Sequence, residues 1–327
     1  MARPTGWLMV LALLGWLVGI LHAGAGDADP LYISCVERCE RAEHCQPSSA
    51  AIAIDVPRIL HMWREWTCRS DCRRSCVAQR EMEREELGLE PLKYHGKWPQ
   101  MRSACLLNMV SAALPGLNLI AQLYGWLSFL LLRRKSPCGT NSYEYVGLWH
   151  IQGLLATNAW FWSSIFHVRE FAVTERLAYS AAVALVGYSL VLSIVRTFNL
   201  RNEESRVIVA SPVLGFAITH IFYLNYAELD YGWNKTVCAA MGVAQILLWS
   251  TWAGRTRHPS RYKMWAVGAA GCLAVLIEVV DFPLRGGFVD GRTLCHAIAI
   301  PLTHLWWSFA RDDALLGTSP PPKKKTK

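Results

Sequence analysis

Seven apolar runs fill the chain from Ser103 onward, and they constrain the fold more than any other feature. Each run is about 20 residues long, which as a helix crosses a hydrocarbon core of roughly 30 Å. The runs cover residues 105 to 132, 144 to 166, 177 to 196, 207 to 226, 236 to 254, 264 to 282 and 293 to 310. With 53% hydrophobic and 18% charged residues, the composition is that of a polytopic membrane protein. We therefore predict an all-α membrane protein with seven transmembrane helices.

The residues before the first run predict export from the cytosol. One positive charge at Arg3, an apolar stretch from Trp7 to Leu21 and the small residues that end at Ala25 are typical of a cleavable secretory signal. An uncleaved anchor is the alternative. The predicted domains are a signal peptide (1–25), a luminal cysteine-rich domain (26–102), a seven-helix transmembrane domain (103–311) and a cytosolic basic tail (312–327).

Six of the eleven cysteines lie in the small luminal domain: Cys35, Cys39, Cys45, Cys68, Cys72 and Cys76. An even number in a translocated segment predicts three disulfides, for which the sequence allows fifteen connectivities. The spacings place the sulfurs on one face of each of two short helices, which favours a disulfide-joined helical hairpin. A zinc cluster is the alternative, although structural zinc sites favour closer Cys-x2-Cys pairs. The other five cysteines lie in or near apolar runs and are expected to be buried thiols.

Basic residues indicate which loops face the cytosol, because cytosolic flanks retain Lys and Arg. They concentrate at 133–135, 196–206, 255–263 and in the tail, and are sparse in the loops expected to be luminal. This distribution agrees with a luminal cysteine-rich domain. It also accounts for the net charge of +8, so no separate nucleic-acid-binding surface is predicted.

The tail carries a possible address. Lys324 and Lys325 stand fourth and third from the end and resemble a dilysine retrieval signal. This predicts recognition by a coat protein and residence in the endoplasmic reticulum membrane, with the Golgi membrane as the alternative. An ordinary basic tail is the other interpretation. The sequon at Asn234 is expected to remain unmodified because it adjoins an apolar run.

Polar groups gather at the predicted luminal ends of the runs. Ser163 and His167 lie one helical turn apart at the end of the second run, and His296 lies at the same membrane face in the seventh. Carboxylates at that face are Asp230, Asp281 and Asp290. Such groups are costly to desolvate, and together they could hold a zinc-activated water that attacks a lipid ester. The alternative is a structural histidine bonded to a backbone carbonyl. His220 is a possible further ligand or, alternatively, makes a structural interhelical bond.

Several segments along the chain form a recognisable pattern: Cys35 to Cys39, Trp66 to Cys72, His95 to Pro99, Asn158 to Ser163 with His167, Asp230 to Gly232, Asp281 to Pro283, and Ile300 with Pro301. In these segments the chain resembles the post-GPI-attachment-to-proteins factor three family, which belongs with alkaline ceramidases and adiponectin-type receptors in one seven-helix superfamily. The resemblance implies hydrolysis of the sn-2 acyl ester in the phosphatidylinositol part of GPI-anchored proteins. It further implies that Ser163 stabilises the oxyanion and that His167 and His296 bind zinc.

The chain departs from the family pattern at two positions. The pattern has an Asp eleven residues after the first His and a second His four residues before the last, where this chain has Ala178 and Arg292. Arginine cannot ligate a metal. Replacement by Asp230, Asp281 or His220 would need a shifted geometry. The competing hypothesis is therefore a catalytically inactive GPI-lipid binder or escort. A third hypothesis, a ligand-sensing receptor, is supported only by the shared seven-helix architecture.

Overall fold

The computed structural model describes residues 25–43, 45, 56–94, 99, 105–135, 143–168, 171–226, 229–280 and 291–317. Within these ranges the side chains of Ala25, 56–67, 105–111, 133–135, 278–280 and Arg292 are not described. The predicted signal segment before Ala25 and the tail with Lys324 and Lys325 lie outside the described residues.

Nine α-helices and no β-sheet occur among the described residues, which confirms the all-α prediction for that part of the chain. A 3-10 turn at Ala25–Ala28 precedes them. The helices are α1 (Pro30–Ala42), α2 (Val56–Glu86), α3 (Cys105–Lys135), α4 (Val146–Val168), α5 (Ala172–Thr197), α6 (Glu203–Tyr226), α7 (Tyr231–Arg255), α8 (Arg261–Val280) and α9 (Gly291–Gly317).

Helices α1 and α2 form the predicted disulfide-joined hairpin. Asp29 caps α1 by accepting a hydrogen bond from the Leu31 amide at 3.0 Å, and Pro30 follows in the first helical position. The three disulfides form an antiparallel ladder of Cys35–Cys76, Cys39–Cys72 and Cys45–Cys68. The prediction of two short helices is wrong for α2, which has 31 residues. Side-chain pairs such as Arg80 with Glu83 at 2.9 Å support its charged final turns.

The described side chains of the hairpin form a small apolar core. Tyr32, Cys76 and Tyr94 are buried, and the two tyrosine rings lie 4.9 Å apart. Burial raises the pKa of Tyr32 to about 12. Burial and the Glu81 carboxylate, which accepts the Tyr94 hydroxyl at 2.8 Å, also raise the pKa of Tyr94. A core of this size is typical of small domains that rely on disulfides for stability.

Helices α3 to α9 coincide with the seven apolar runs of the sequence. Four segments in the described part of the chain are long and apolar enough to cross a membrane: Ala112–Leu132 within α3, α5, α6 and α7. The chain is therefore a multi-pass membrane protein. Passage of α4, α8 and α9 through the membrane, and so the count of seven spans, stays a prediction.

Six of these helices close into a ring. Its contacts run from α3 to α4, α5, α7, α8 and α9, and α9 returns to pack on α3, while α6 packs on α5 outside the ring. Gln122 of α3 joins three helices inside it. Its Oε1 accepts from Trp307 Nε1 at 3.0 Å, and its Nε2 donates to the Gly153 carbonyl at 3.4 Å. Such bonds satisfy polar groups that water does not reach.

A buried charge cluster lies at the end of the ring where α5 and α9 finish, which we call the aspartate end. Asp313 is 2% exposed and accepts hydrogen bonds from Arg196 Nε at 2.8 Å and Nη2 at 2.6 Å. It also accepts the hydroxyl of Tyr143, which in turn accepts from Trp149 Nε1 at 3.1 Å. The cluster thus fastens the start of α4 to the ends of α5 and α9.

The cysteines outside the hairpin are less buried than expected. Cys238 and Cys295 are half-buried thiols, and Cys272 is exposed. The prediction of a buried thiol is therefore wrong for Cys272, because no described part of the protein covers its side chain on α8. The Cys105 side chain and Cys138 lie outside the described part of the structure.

Candidate functional site

His167 and His296 meet at the end of the ring opposite Asp313, which we call the histidine end. His167 lies in the last turn of α4, and His296 lies in the second turn of α9. Their rings pack edge to face, with centroids 5.1 Å apart and an interplanar angle of 87°. The structure thus brings together two residues that are far apart in the chain and that the sequence placed at one membrane face.

Trp160 and Ser163 lie on α4 in the two turns before His167. The Trp160 ring packs edge to face on His296 with centroids 5.6 Å apart, so His296 contacts two aromatic side chains of α4. Ser163 is half-buried and precedes His167 by one turn, which places both on the same side of the helix. The neighbouring Ser164 hydroxyl instead donates to the Trp160 carbonyl of its own helix at 2.7 Å.

Asn118 is a site residue that the sequence reasoning missed. It lies on α3, is fully buried, and donates from Nδ2 to the main-chain oxygen of His296 at 2.8 Å. The signal that could have found it is a carboxamide within an apolar run, because such groups face the protein interior rather than lipid.

Two of the ligands that a catalytic zinc site needs could come from the histidine pair. No three His, Cys, Asp or Glu side chains that could hold a metal ion are gathered among the described residues. Catalytic zinc takes three protein ligands, so His167 and His296 fit the metal but do not complete its coordination. Ala178 is half-buried on α5, and Arg292 lies in the first turn of α9.

Two of the candidate replacement ligands have other contacts. His220 is buried on α6 and its Nε2 lies 3.1 Å from Asn234 Oδ1 of α7, an interhelical bond. Asp230 caps α7 by accepting from the Trp233 amide at 2.9 Å. Asp281 and Asp290 lie outside the described residues. Asn234 of the sequon is 4% exposed, which agrees with the expectation that it stays unmodified.

The hairpin of α1 and α2 packs at the histidine end. Helix α2 contacts α5, and the positive charge of Arg73 in α2 repels that of Arg176 in the first turns of α5. Arg176 itself donates to the carbonyls of Leu224 and Asn225 at the end of α6, at 2.5 and 3.0 Å. Beside it, Glu175 is a buried carboxylate one turn before Ala178, which the sequence reasoning also missed. The hairpin and the histidine pair therefore share one end of the molecule.

The profile of the Per1-like family matches residues 58–314, from the second hairpin helix to near the end of α9. The chain belongs to the Per1-like family. A protein named GPI-specific phospholipase A2-like PGAP3 from Danio rerio is 32% identical over 322 residues, which cover 97% of this chain and 99% of that protein. Its namesake from Xenopus tropicalis is 32% identical over 306 residues, 93% of this chain and 94% of that protein.

A third relative matches the chain over nearly the same extent. The Protein PER1 homolog of Schizosaccharomyces pombe is 30% identical over 297 residues, covering 88% of this chain and 87% of that protein. No solved structure matches the chain. These matches cover both the hairpin and the ring, so the chain shares both parts with these relatives.

Proposed function

We propose that this chain remodels the lipid of GPI anchors by hydrolysing the sn-2 acyl ester of their phosphatidylinositol. The observation that carries the proposal is the contact of His167 with His296, 5.1 Å between ring centroids, in a chain that belongs to the Per1-like family. Relatives named GPI-specific phospholipase A2-like match it over nearly its full length, which supports the substrate class. The partners of the chain are then GPI-anchored proteins and their lipid.

Each residue at the histidine end has a role in this proposal. His167 and His296 would bind zinc, which polarises the ester carbonyl and lowers the pKa of a bound water. The Ser163 hydroxyl would donate to the oxyanion that forms on the carbonyl oxygen. Trp160 packs on His296 and restricts the orientation of its ring. The hairpin, which packs at the same end, would contact the glycan or the attached protein.

A second function is favoured by the two replaced positions. Ala178 has no group that could orient a ligand or move a proton, and a guanidinium at Arg292 repels a metal rather than binding it. With these two changes from the family pattern, the chain would bind the lipid and keep its hairpin without catalysis. In that case it acts as an inactive binder or escort of GPI-anchored lipid.

Metal content and product release distinguish the two functions. The full chain is purified in detergent, its zinc is measured by elemental mass spectrometry, and it is incubated with a GPI-anchored protein. Hydrolysis predicts about one zinc per chain and release of fatty acid and lyso-product. His167→Ala and His296→Ala should each abolish both, because each removes an essential ligand. His304→Ala is the matched control, since His304 is exposed on the same helix as His296.

The opposite result also has a defined follow-up. If the starting chain holds no zinc and releases no lyso-product, it is not a hydrolase of this kind. The double change Arg292→His with Ala178→Asp should then create metal binding and activity. Failure of that change to produce either would contradict simple loss of an ancestral site.

If the starting chain does hold zinc, Asp281→Ala tests the remaining candidate for the third ligand.

We also propose residence in the endoplasmic reticulum membrane, with retrieval from the Golgi through coat-protein recognition of Lys324 and Lys325. Their positions relative to the end of the chain support this location. Changing both to Ser should move a tagged chain to later compartments, as seen by immunofluorescence. Lys323→Ser is the control at the neighbouring position. An unchanged distribution of the double variant would contradict retrieval by this signal.

A further inference from the structure

The first part of α9 depends on its neighbours for its position. It runs from Gly291 to Pro301, which lacks the N–H that a helix interior requires and so weakens the helix at that point. His296 lies midway between these residues. A segment of about three turns that ends at a proline is not held rigidly by its own helix.

Asn118 supplies a direct link to that segment. Its Nδ2 donates to the His296 carbonyl at 2.8 Å and to the Leu114 carbonyl of its own helix at 3.1 Å. The same bond therefore joins α3 to the main chain of the residue whose ring contacts His167. A second link, from Cys295 Sγ to the Ala274 carbonyl at 3.5 Å, is weaker because a thiol is a poor donor.

The other end of the same carboxamide has no partner among the described residues. Asn118 is 0% exposed, and its Oδ1 is a buried acceptor without a hydrogen bond in the described part of the protein. Burying an unsatisfied acceptor costs stability, whereas an apolar residue of similar size would not carry that cost. This cost offsets part of the stability that the two Nδ2 hydrogen bonds contribute, so Asn and Leu at this position should differ little in stability.

From these observations we infer that Asn118 is a positioning residue for His296. Its Nδ2 holds the His296 turn of α9 against α3, and its Oδ1 provides an acceptor for a water or lipid hydroxyl at the histidine end. The inference deepens the proposed function, and its consequence for the reaction rests on that function. The effect of Asn118 on the position of His296 does not, because it is present in the protein without zinc as well.

Gln122 provides a matched control. It lies one turn after Asn118 on α3 and is also buried, but both ends of its carboxamide are bonded, to Trp307 and Gly153. Replacing it with Leu should destabilise the ring without releasing the His296 turn. Replacing Asn118 with Leu should release the His296 turn without destabilising the ring, because it removes the bond to His296 together with the unsatisfied acceptor.

The test measures the reactivity of individual histidines. Full-length chain in detergent is treated with diethyl pyrocarbonate, and modification of His296 relative to His304 is followed by mass spectrometry. Asn118→Leu should raise the relative rate at His296 about fivefold, the effect expected when one net hydrogen bond no longer holds a segment closed. The unfolding temperature should stay close to that of the starting chain, and Gln122→Leu should leave the relative rate unchanged.

A second variant keeps the test decisive. Asn118→Ser adds no bulk, and its short hydroxyl reaches only its own helix, so it should raise the His296 rate even if Asn118→Leu fails to fold. An unchanged His296 rate in Asn118→Ser overturns the inference. If hydrolysis occurs, both variants should lower kcat more than they change KM. If it does not, the proposed reaction fails, while the histidine reactivities still decide the role of Asn118.

Discussion

Replacing Asp313 with Ala is expected to destabilise the folded chain more than any other single substitution considered. Asp313 is 2% exposed, and its carboxylate accepts two hydrogen bonds from Arg196 and one from Tyr143. Removing it leaves the Arg196 guanidinium without its counter-charge in a largely buried position. Breaking a buried pair in this way costs about 3–5 kcal/mol. The loss also releases the start of α4 from the ends of α5 and α9.

The effect can be measured by thermal unfolding in detergent, with the intrinsic fluorescence of the fifteen tryptophans as the signal. Glu144→Ala is the matched control, because Glu144 pairs with Arg201 at 3.6 Å and both side chains are exposed. Exposed pairs contribute about 0–1 kcal/mol, so this variant should unfold close to the starting chain. Equal unfolding temperatures for the two variants would contradict a stabilising role for the buried cluster.

Loss of the disulfides is expected to unfold the hairpin while the ring remains folded. Cys39 and Cys72 are separated by 33 residues, and a cross-link over that distance contributes about 3–4 kcal/mol through the entropy of the unfolded chain. The small core around Tyr32, Cys76 and Tyr94 does not offset such a loss. The double change Cys39→Ala with Cys72→Ala should therefore destabilise the hairpin, and reduction of all three bonds should unfold it.

Limited trypsin digestion distinguishes the hairpin from the ring. After reduction, cleavage should appear at Arg73 and Arg74, which lie in α2 between bonded cysteines, while fragments from the ring persist. Cys272→Ala is the cysteine control, because Cys272 forms no disulfide among the described residues. A reduced hairpin that stays as resistant to trypsin as the oxidised one would show that its apolar core suffices.

The boundaries of the membrane-domain helices could be predicted from the sequence, because the length of an apolar run is a local property of the chain. The predicted runs lie within the observed helices to within a few residues, except that α9 continues to Gly317, beyond the predicted end at 310. That extension carries Asp313, which the sequence assigned to the predicted cytosolic tail at 312–327. Its partner Arg196, 117 residues earlier, was interpreted as a cytosolic flank. Pairing between such distant residues depends on which helices are neighbours, and local patterns do not contain that information.

The candidate site was predictable in type but not in detail. His167 and His296 could be assigned to one membrane face because topology fixes the end of the bundle at which each residue lies. Asn118 was not singled out, since its importance depends on the bond to a main-chain oxygen 178 residues away. The order of the disulfides was equally hidden, because fifteen pairings satisfy the same count of cysteines.

Closure of the ring by α9 has a consequence for biosynthesis. The ring joins its last helix to its first, and His296 is carried by that last helix. His167 leaves the ribosome long before His296, so at that stage the imidazole that it contacts in the folded protein has not been made. The histidine pair can therefore form only after α9 has been made, and a chain that terminates before α9 lacks the pair.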